Sequence, residues 1–272
     1  MNQTLSCGMR RRGFVRCGAL LLLWPPCAAP AQPPATTLPL SQAINRSGKM
    51  RALSQRLSKA YVQGSLGVLP ERARDILAAS RQLMSSILAE LGAAPLAPET
   101  RRLLQALEKD CQGLLENVAL PRKDVLEVAR SADVVLESAD RLTKAFEAQS
   151  IGGNARIVNV AGRQRMLAQR AARAYFLSAA GHDTQAVRAQ LAGARSEIAQ
   201  GLAGLQAAPI STPAIRNELE LARSQWLFYE AALAKAASPD ALQTVATTSE
   251  RVYEVMDNLT SLYDSALRDL LG

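Results

Sequence analysis

Residues 44–62, INRSGKMRALSQRLSKAYV, return 114 positions later as residues 158–176, VNVAGRQRMLAQRAARAYF, with eight identities in nineteen ungapped positions. A repeat of that length means that whatever one half folds into, the other half must be able to fold into as well. The same offset carries AASR (78–81) onto AGAR (192–195) and LAELGAAP (88–95) onto LAGLQAAP (202–209). Small insertions then shift it until RLTKAFE (141–147) faces NLTSLYD (258–264). The chain is therefore read as a tandem duplication, with copy one at 38–150 and copy two at 151–272.

Each copy contains four stretches of helical periodicity separated by Gly- and Pro-containing breaks. In copy one the helices are expected at 41–66, 70–91, 98–118 and 122–149, with breaks at GSLGVLP, GAAPLAP and ALPRK. In copy two they are expected at 154–180, 184–206, 213–236 and 239–270, with breaks at AGHDT, AAPISTP and AASPD. Pro98, Pro213 and Pro239 each suit a first helical position, where a missing N–H costs nothing, and Ser238 before Pro239 is a capping residue. The apolar residues are mainly Ala and Leu, and aromatics are only 4% of the chain, which excludes a sheet protein. Short breaks force consecutive helices to run antiparallel. The predicted fold class is all-α: two tandem up-down-up-down antiparallel four-helix bundles, joined near SIGG (150–153).

Residues 1–31 read as an export signal: a basic start, the apolar GALLLLW, and small residues ending APA. RRGFVR (11–16) is similar to a twin-arginine signal, while an ordinary secretory signal explains the same arginines. Pro25 and Pro26 fit a lipobox at Cys27 poorly, so the expected product is a soluble periplasmic protein. Removing Arg10, Arg11, Arg12 and Arg16 reduces the formal +8 to 28 basic against 24 acidic residues. That mixed charge, without a basic run or interleaved aromatics, argues against nucleic acid. Cys7, Cys17 and Cys27 leave with the signal. Cys111 alone remains, which excludes an intrachain disulfide and a thiolate metal cluster.

The repeated segment also carries chemistry. On a helix, Ile44, Gly48, Arg51 and Gln55 form one seam, and Val158, Gly162, Arg165 and Gln169 form its counterpart. Such a seam ordinarily takes Leu or Ile. A glycine there costs roughly 1 kcal/mol relative to alanine but frees space one turn before the arginine. Guanidinium is a planar donor suited to oxyanions, and two of them across a helix–helix seam repel unless an anion sits between. The alternative is that Arg51 and Arg165 pair with carboxylates of neighbouring helices, such as those of ESAD (137–140). Arg56 and Arg170 lie about 100–140° round the helix from the seam and suit ion pairs or solvent. Asn45 and Asn159 suit first-turn positions, and Tyr61 and Tyr175 suit packing at the helix end.

The pattern I-N-x-x-G-x-x-R-x-L-x-Q-R resembles the signature of the periplasmic domain of nitrate/nitrite sensor kinases. It is equally similar to the N-terminal domain of type IV pilus methyl-accepting chemotaxis transducers. The resemblance implies a four-helix bundle in which the signature opens the first helix. It further implies that the arginine of G-x-x-R binds nitrate at a two-fold interface, one arginine from each subunit. On this chain those arginines are Arg51 and Arg165. Copy two is the closer match; copy one departs at Arg46-Ser47 and has Ala52 where copy two has Met166. Pilus-type members share the fold without an established anion.

Two functional readings follow. One is an exported ligand-binding protein for a small oxyanion, nitrate or nitrite first, with Arg51, Arg165, Gly48, Gly162, Gln55 and Gln169 as its site. It would signal through a membrane sensor, a transporter or a pilus or chemoreceptor protein, because no output domain follows within the sequence. The other is a ligand-free helical interaction module of a type IV pilus or chemoreceptor assembly. In either, the two copies dock as a pseudo-two-fold pair or each dimerises with a second chain. No cofactor, metal or catalytic constellation is expected: His182 is the sole histidine, set in the loop-like AGHDT. The chain is read as a non-enzyme.

Overall fold

Helix starts in this chain are written in local chemistry, and a computed structural model shows them used. It describes residues 38–120, 123–150 and 155–271. Proline opens α2 (Pro70–Ala93), α3 (Pro98–Ala119), α7 (Pro213–Leu233) and α8 (Pro239–Leu271). Thr184 accepts the Val187 N–H ahead of α6 (Gln185–Gln206), and Thr212 and Ser238 do the same ahead of α7 and α8. Asp124 caps α4 (Val125–Glu147) by accepting the Leu126 N–H. Each such cap satisfies a donor that the first turn leaves unpaired, worth about 1 kcal/mol. The two repeated segments form α1 (Leu40–Ser65) and α5 (Ala155–Ala179). Every described element is α-helical, and each predicted helix is present within a few residues of its expected limits. The predicted export signal and most of the predicted joint at 150–153 fall outside the described residues.

Within each copy the first helix packs on the second and fourth and the third packs on the fourth, closing a four-helix bundle whose α2–α3 and α6–α7 faces meet more loosely. Burial repeats with the sequence offset. Ala73, Met84 and Leu91 of α2 correspond to Val187, Ile198 and Leu205 of α6 at 114. Leu107, Cys111 and Leu114 of α3 correspond to Ala222, Trp226 and Tyr229 of α7 at 115. Val128, Val135 and Leu142 of α4 correspond to Val245, Val252 and Leu259 of α8 at 117. Cys111 is wholly buried among these leucines, and burial first of all pushes its thiol up to about 12, leaving it a core residue with no thiolate character.

The two bundles are not separate bodies. The described residues form one unit, and α1 packs extensively along α5, with α8 also touching α1. This makes α1 and α5 interior helices covered on nearly every side. They are also among the most polar helices by mean hydropathy. Their buried side chains include Asn45, Arg51, Gln55, Lys59, Arg165, Gln169 and Arg173. So much polarity is tolerable in a core only where every charge meets a partner. No helix among the described residues is long and apolar enough to cross a membrane.

Candidate functional site

Arg51 and Arg165 are 1% and 0% exposed. An isolated guanidinium at that depth would cost several kcal/mol, so the partners decide what the seam is. Arg51 donates through NH1 to Asp140 Oδ1 of α4 at 2.7 Å and through NH2 to Asn159 Oδ1 of α5 at 2.6 Å. Arg165 donates to Asp257 Oδ1 of α8 at 2.5 Å, to Asn45 Oδ1 at 3.0 Å and to the Asn45 carbonyl at 3.3 Å. Each arginine thus takes a carboxylate from its own repeat and an asparagine from the other. The asparagines complete the circuit: Asn159 donates to Glu147 at 2.5 Å and Asn45 to Asp264 at 3.3 Å. Asp140 and Asp257, like Glu147 and Asp264, stand 117 residues apart, so the two halves use equivalent positions.

The glycines are explained by the arginines that follow them. A Cβ on Gly162 would lie 2.9 Å from the Arg165 NH2, and one on Gly48 would lie 3.1 Å from the Arg51 NH2 and 3.8 Å from that of Arg165. Both guanidinium groups therefore converge on one point beside Gly48. Gly162→Ala is expected to lower stability despite alanine's helical advantage of about 1 kcal/mol, because the Arg165 head is fixed by three acceptors. Gly48→Ala, with more room, should be close to neutral. Paired urea melts of the two variants check this.

A second polar tier lies two turns further along, and of its members only Arg56 carries a sequence expectation, an ion pair or solvent. Lys59, wholly buried, donates to Glu250 Oε1 at 2.7 Å. Arg56 donates to Glu250 Oε2 through Nε at 2.9 Å and NH2 at 2.5 Å, reaches Ser80 at 3.1 Å, and lies 4.8 Å over the Tyr253 ring. In mirror fashion Arg173 of α5 holds Asp133 of α4 through both terminal nitrogens, at 2.9 and 3.2 Å. Here each cation crosses to the other repeat for its carboxylate. Gln55 and Gln169 instead stay home: each donates to a backbone carbonyl of its own fourth helix, Ala132 and Ser249, at 3.3 and 2.9 Å. Tyr61 and Tyr175 tie the ends of α1 and α5 to the carbonyls of Leu120 and Lys235.

Electrostatics follows from the pairing. Burial pushes the Asp257 carboxyl up, but the Arg165 and Lys49 charges beside it win and hold it below the ordinary range. Asp140 is likewise raised by burial and brought below its ordinary value by hydrogen bonds from Lys144 and Arg51. The repulsion between two arginines at one seam, which would call for an external anion, is answered here by two internal aspartates. Pairing with carboxylates of neighbouring helices, including the ESAD segment, is what the seam arginines do. Asp140 and Asp257 sit on the solvent side of the seam, with side chains 22% and 25% exposed.

A reciprocal polar interface between two copies of one four-helix unit is the setting in which family likeness becomes informative. Residues 146–251 match the family model PilJ, the type IV pili methyl-accepting chemotaxis transducer N-terminal domain. The matched stretch takes in α5, α6, α7 and the start of α8, and with them Gly162, Arg165, Gln169 and Arg173. No curated protein and no solved structure matches the chain.

The signal that would have exposed the second tier was present in the repeat. Lys59 and Arg173 are cationic in both copies, and Asp133 and Glu250 are acidic in both, at the offsets of their helices.

Proposed function

We propose that this chain is a non-catalytic sensory module of the chemotaxis-transducer type, exported from the cytoplasm, that works as an internal dimer and docks on a chemoreceptor or pilus protein. The observation that supports this reading best is the reciprocal seam. Each repeat inserts an asparagine into the other's arginine–aspartate pair, as two subunits would across a two-fold axis. The likeness to the transducer N-terminal domain supplies the partner class. With both arginines neutralised from within, the seam needs no ligand to close, which favours an interaction module.

One observation favours a second reading, in which the seam takes a small oxyanion, nitrate or nitrite first. The two guanidinium groups converge beside Gly48, and the aspartates that neutralise them lie on the solvent side. An anion would then exchange with Asp140 or Asp257 instead of filling a gap, with Gln55 and Gln169 bordering it one turn away. Thermal melts with nitrate, nitrite, sulfate, phosphate and chloride separate the two readings. Saturating nitrate, at 100 times its dissociation constant, adds about 2.7 kcal/mol if the seam binds it, and Arg51→Lys or Arg165→Lys abolishes that gain. Equal responses to every anion, or none, leave the interaction module standing and remove the oxyanion.

A further inference from the structure

The fold doubles much of its polar pairing between the repeats, and the doubling breaks down at Arg56. Arg56 of α1 has Glu250, Ser80 and the face of Tyr253 around it. Its counterpart at 114 residues is Arg170 of α5. The positions equivalent to those three partners hold Asp133, Ala194 and Leu136. Asp133 is one methylene shorter than Glu250 and is committed to Arg173. Ala194 and Leu136 offer no acceptor. Arg170 consequently forms no ion pair or hydrogen bond among the described residues, although its Nε is buried.

The surface in front of Arg170 has changed as well. Where α2 carries Arg72 and Asp75, α6 carries Ala186 and Ala189, and Gly193 replaces Ala79. The result is a cleft of about 380 Å³ between α5 and α6, lined by Arg170, Gln190 and Glu197 among alanines and Gly193. Glu197 is occupied by Arg163, which donates to it through Nε at 2.9 Å and NH2 at 2.7 Å. Gln190 gives its Oε1 to Arg173, which leaves its amide N–H2 as a donor beside Arg170.

We propose that this cleft binds a small monocarboxylate, with its carboxylate on Arg170 and the Gln190 amide and its aliphatic body over Ala189 and Gly193. A guanidinium fork matches a planar carboxylate with two parallel hydrogen bonds. The alanine and glycine floor rewards a short hydrocarbon, for which a bare oxyanion has no use. Glu197 already holds Arg163, so the cleft offers no unpaired cation for a second carboxylate, and dicarboxylates gain nothing over monocarboxylates. The site is independent of the seam between α1 and α5.

Calorimetric titration of the full chain with butyrate tests the assignment. Saturable binding in the millimolar range or tighter is expected, weakened about tenfold or more in Arg170→Gln. Gly193→Leu should weaken it similarly without lowering the melting temperature, since a Cβ at Gly193 meets open space. Arg165→Lys should leave butyrate binding unchanged, which separates this site from the seam. The assignment is overturned by absence of saturable binding up to about 20 mM, by equal affinity in Gly193→Leu, by succinate binding more tightly than butyrate, or by nitrate binding as tightly as butyrate in Arg165→Lys, where the seam no longer takes it.

Discussion

Arg51→Met is expected to destabilise the folded chain by about 3–5 kcal/mol, the usual result of removing one partner from a buried ion pair. In a chain of this size that lowers the melting temperature by roughly 10 °C. The loss is large because the substitution leaves Asp140 and the Asn159 carbonyl oxygen facing each other without the donor that joined them. A second substitution shows where the energy resides. Asp140→Leu in the same chain removes the stranded carboxylate, and its other partner, Lys144, is 69% exposed and returns to water. More than half of the lost stability should therefore come back in Arg51→Met/Asp140→Leu. The equivalent pair behaves differently. Asp257 also holds Lys49, whose side chain is only 10% exposed, so Arg165→Met/Asp257→Leu strands a second buried cation and recovers little. Urea unfolding of the four variants reads out both cycles. Equal recovery in the two would mean that Lys49 is not held as described. As a control, Arg163→Met breaks a half-exposed pair with Glu197 and should cost about 1 kcal/mol at most.

That contrast also shows what the sequence could and could not reveal. The eight helices were legible because their signals are local: Gly- and Pro-containing breaks, Pro98, Pro213 and Pro239 at first positions, and Ser238 as a cap. The seam register was legible too, since Gly48, Arg51 and Gln55 share a face by helical geometry alone. The partners were not. Asp140 is 89 residues from Arg51 and Asp257 is 92 from Arg165, and which face of α4 or α8 meets the seam depends on the rotation of each helix in its bundle. The second tier was left open for a different reason. The seam pattern leaves Arg56 between an ion pair and solvent and says nothing of Lys59, and it is α8 packing on α1 that decides for the ion pair. Asn45 and Asn159 were read as first-turn residues, and they turn out to cross between repeats.

The second tier carries the largest pH effect. Burial pushes the Glu250 carboxyl up, yet the Lys59 and Arg56 charges outweigh it and hold it at about 2, against an ordinary 4.5. A carboxyl whose folded value is depressed binds fewer protons folded than unfolded between those two pH values, so its contribution is fully present above about 4.5. It is lost progressively as pH falls towards 2. The difference corresponds to about 3 kcal/mol. Glu250→Gln should therefore be less stable than the parent by about that much at pH 7. It keeps the shape of the side chain but leaves Lys59 and Arg56 without a counter-charge at every pH. As the parent's own Glu250 takes up its proton, the two proteins become alike. The gap between their unfolding free energies should shrink to less than half by pH 3. A gap unchanged from pH 7 to pH 3 would show that Glu250 does not serve both cations as an ionised group. The gap closes from the parent's side alone, since the glutamine cannot titrate, so the comparison isolates this one carboxylate from Asp140 and Asp257. Those two are also held low and titrate identically in both chains.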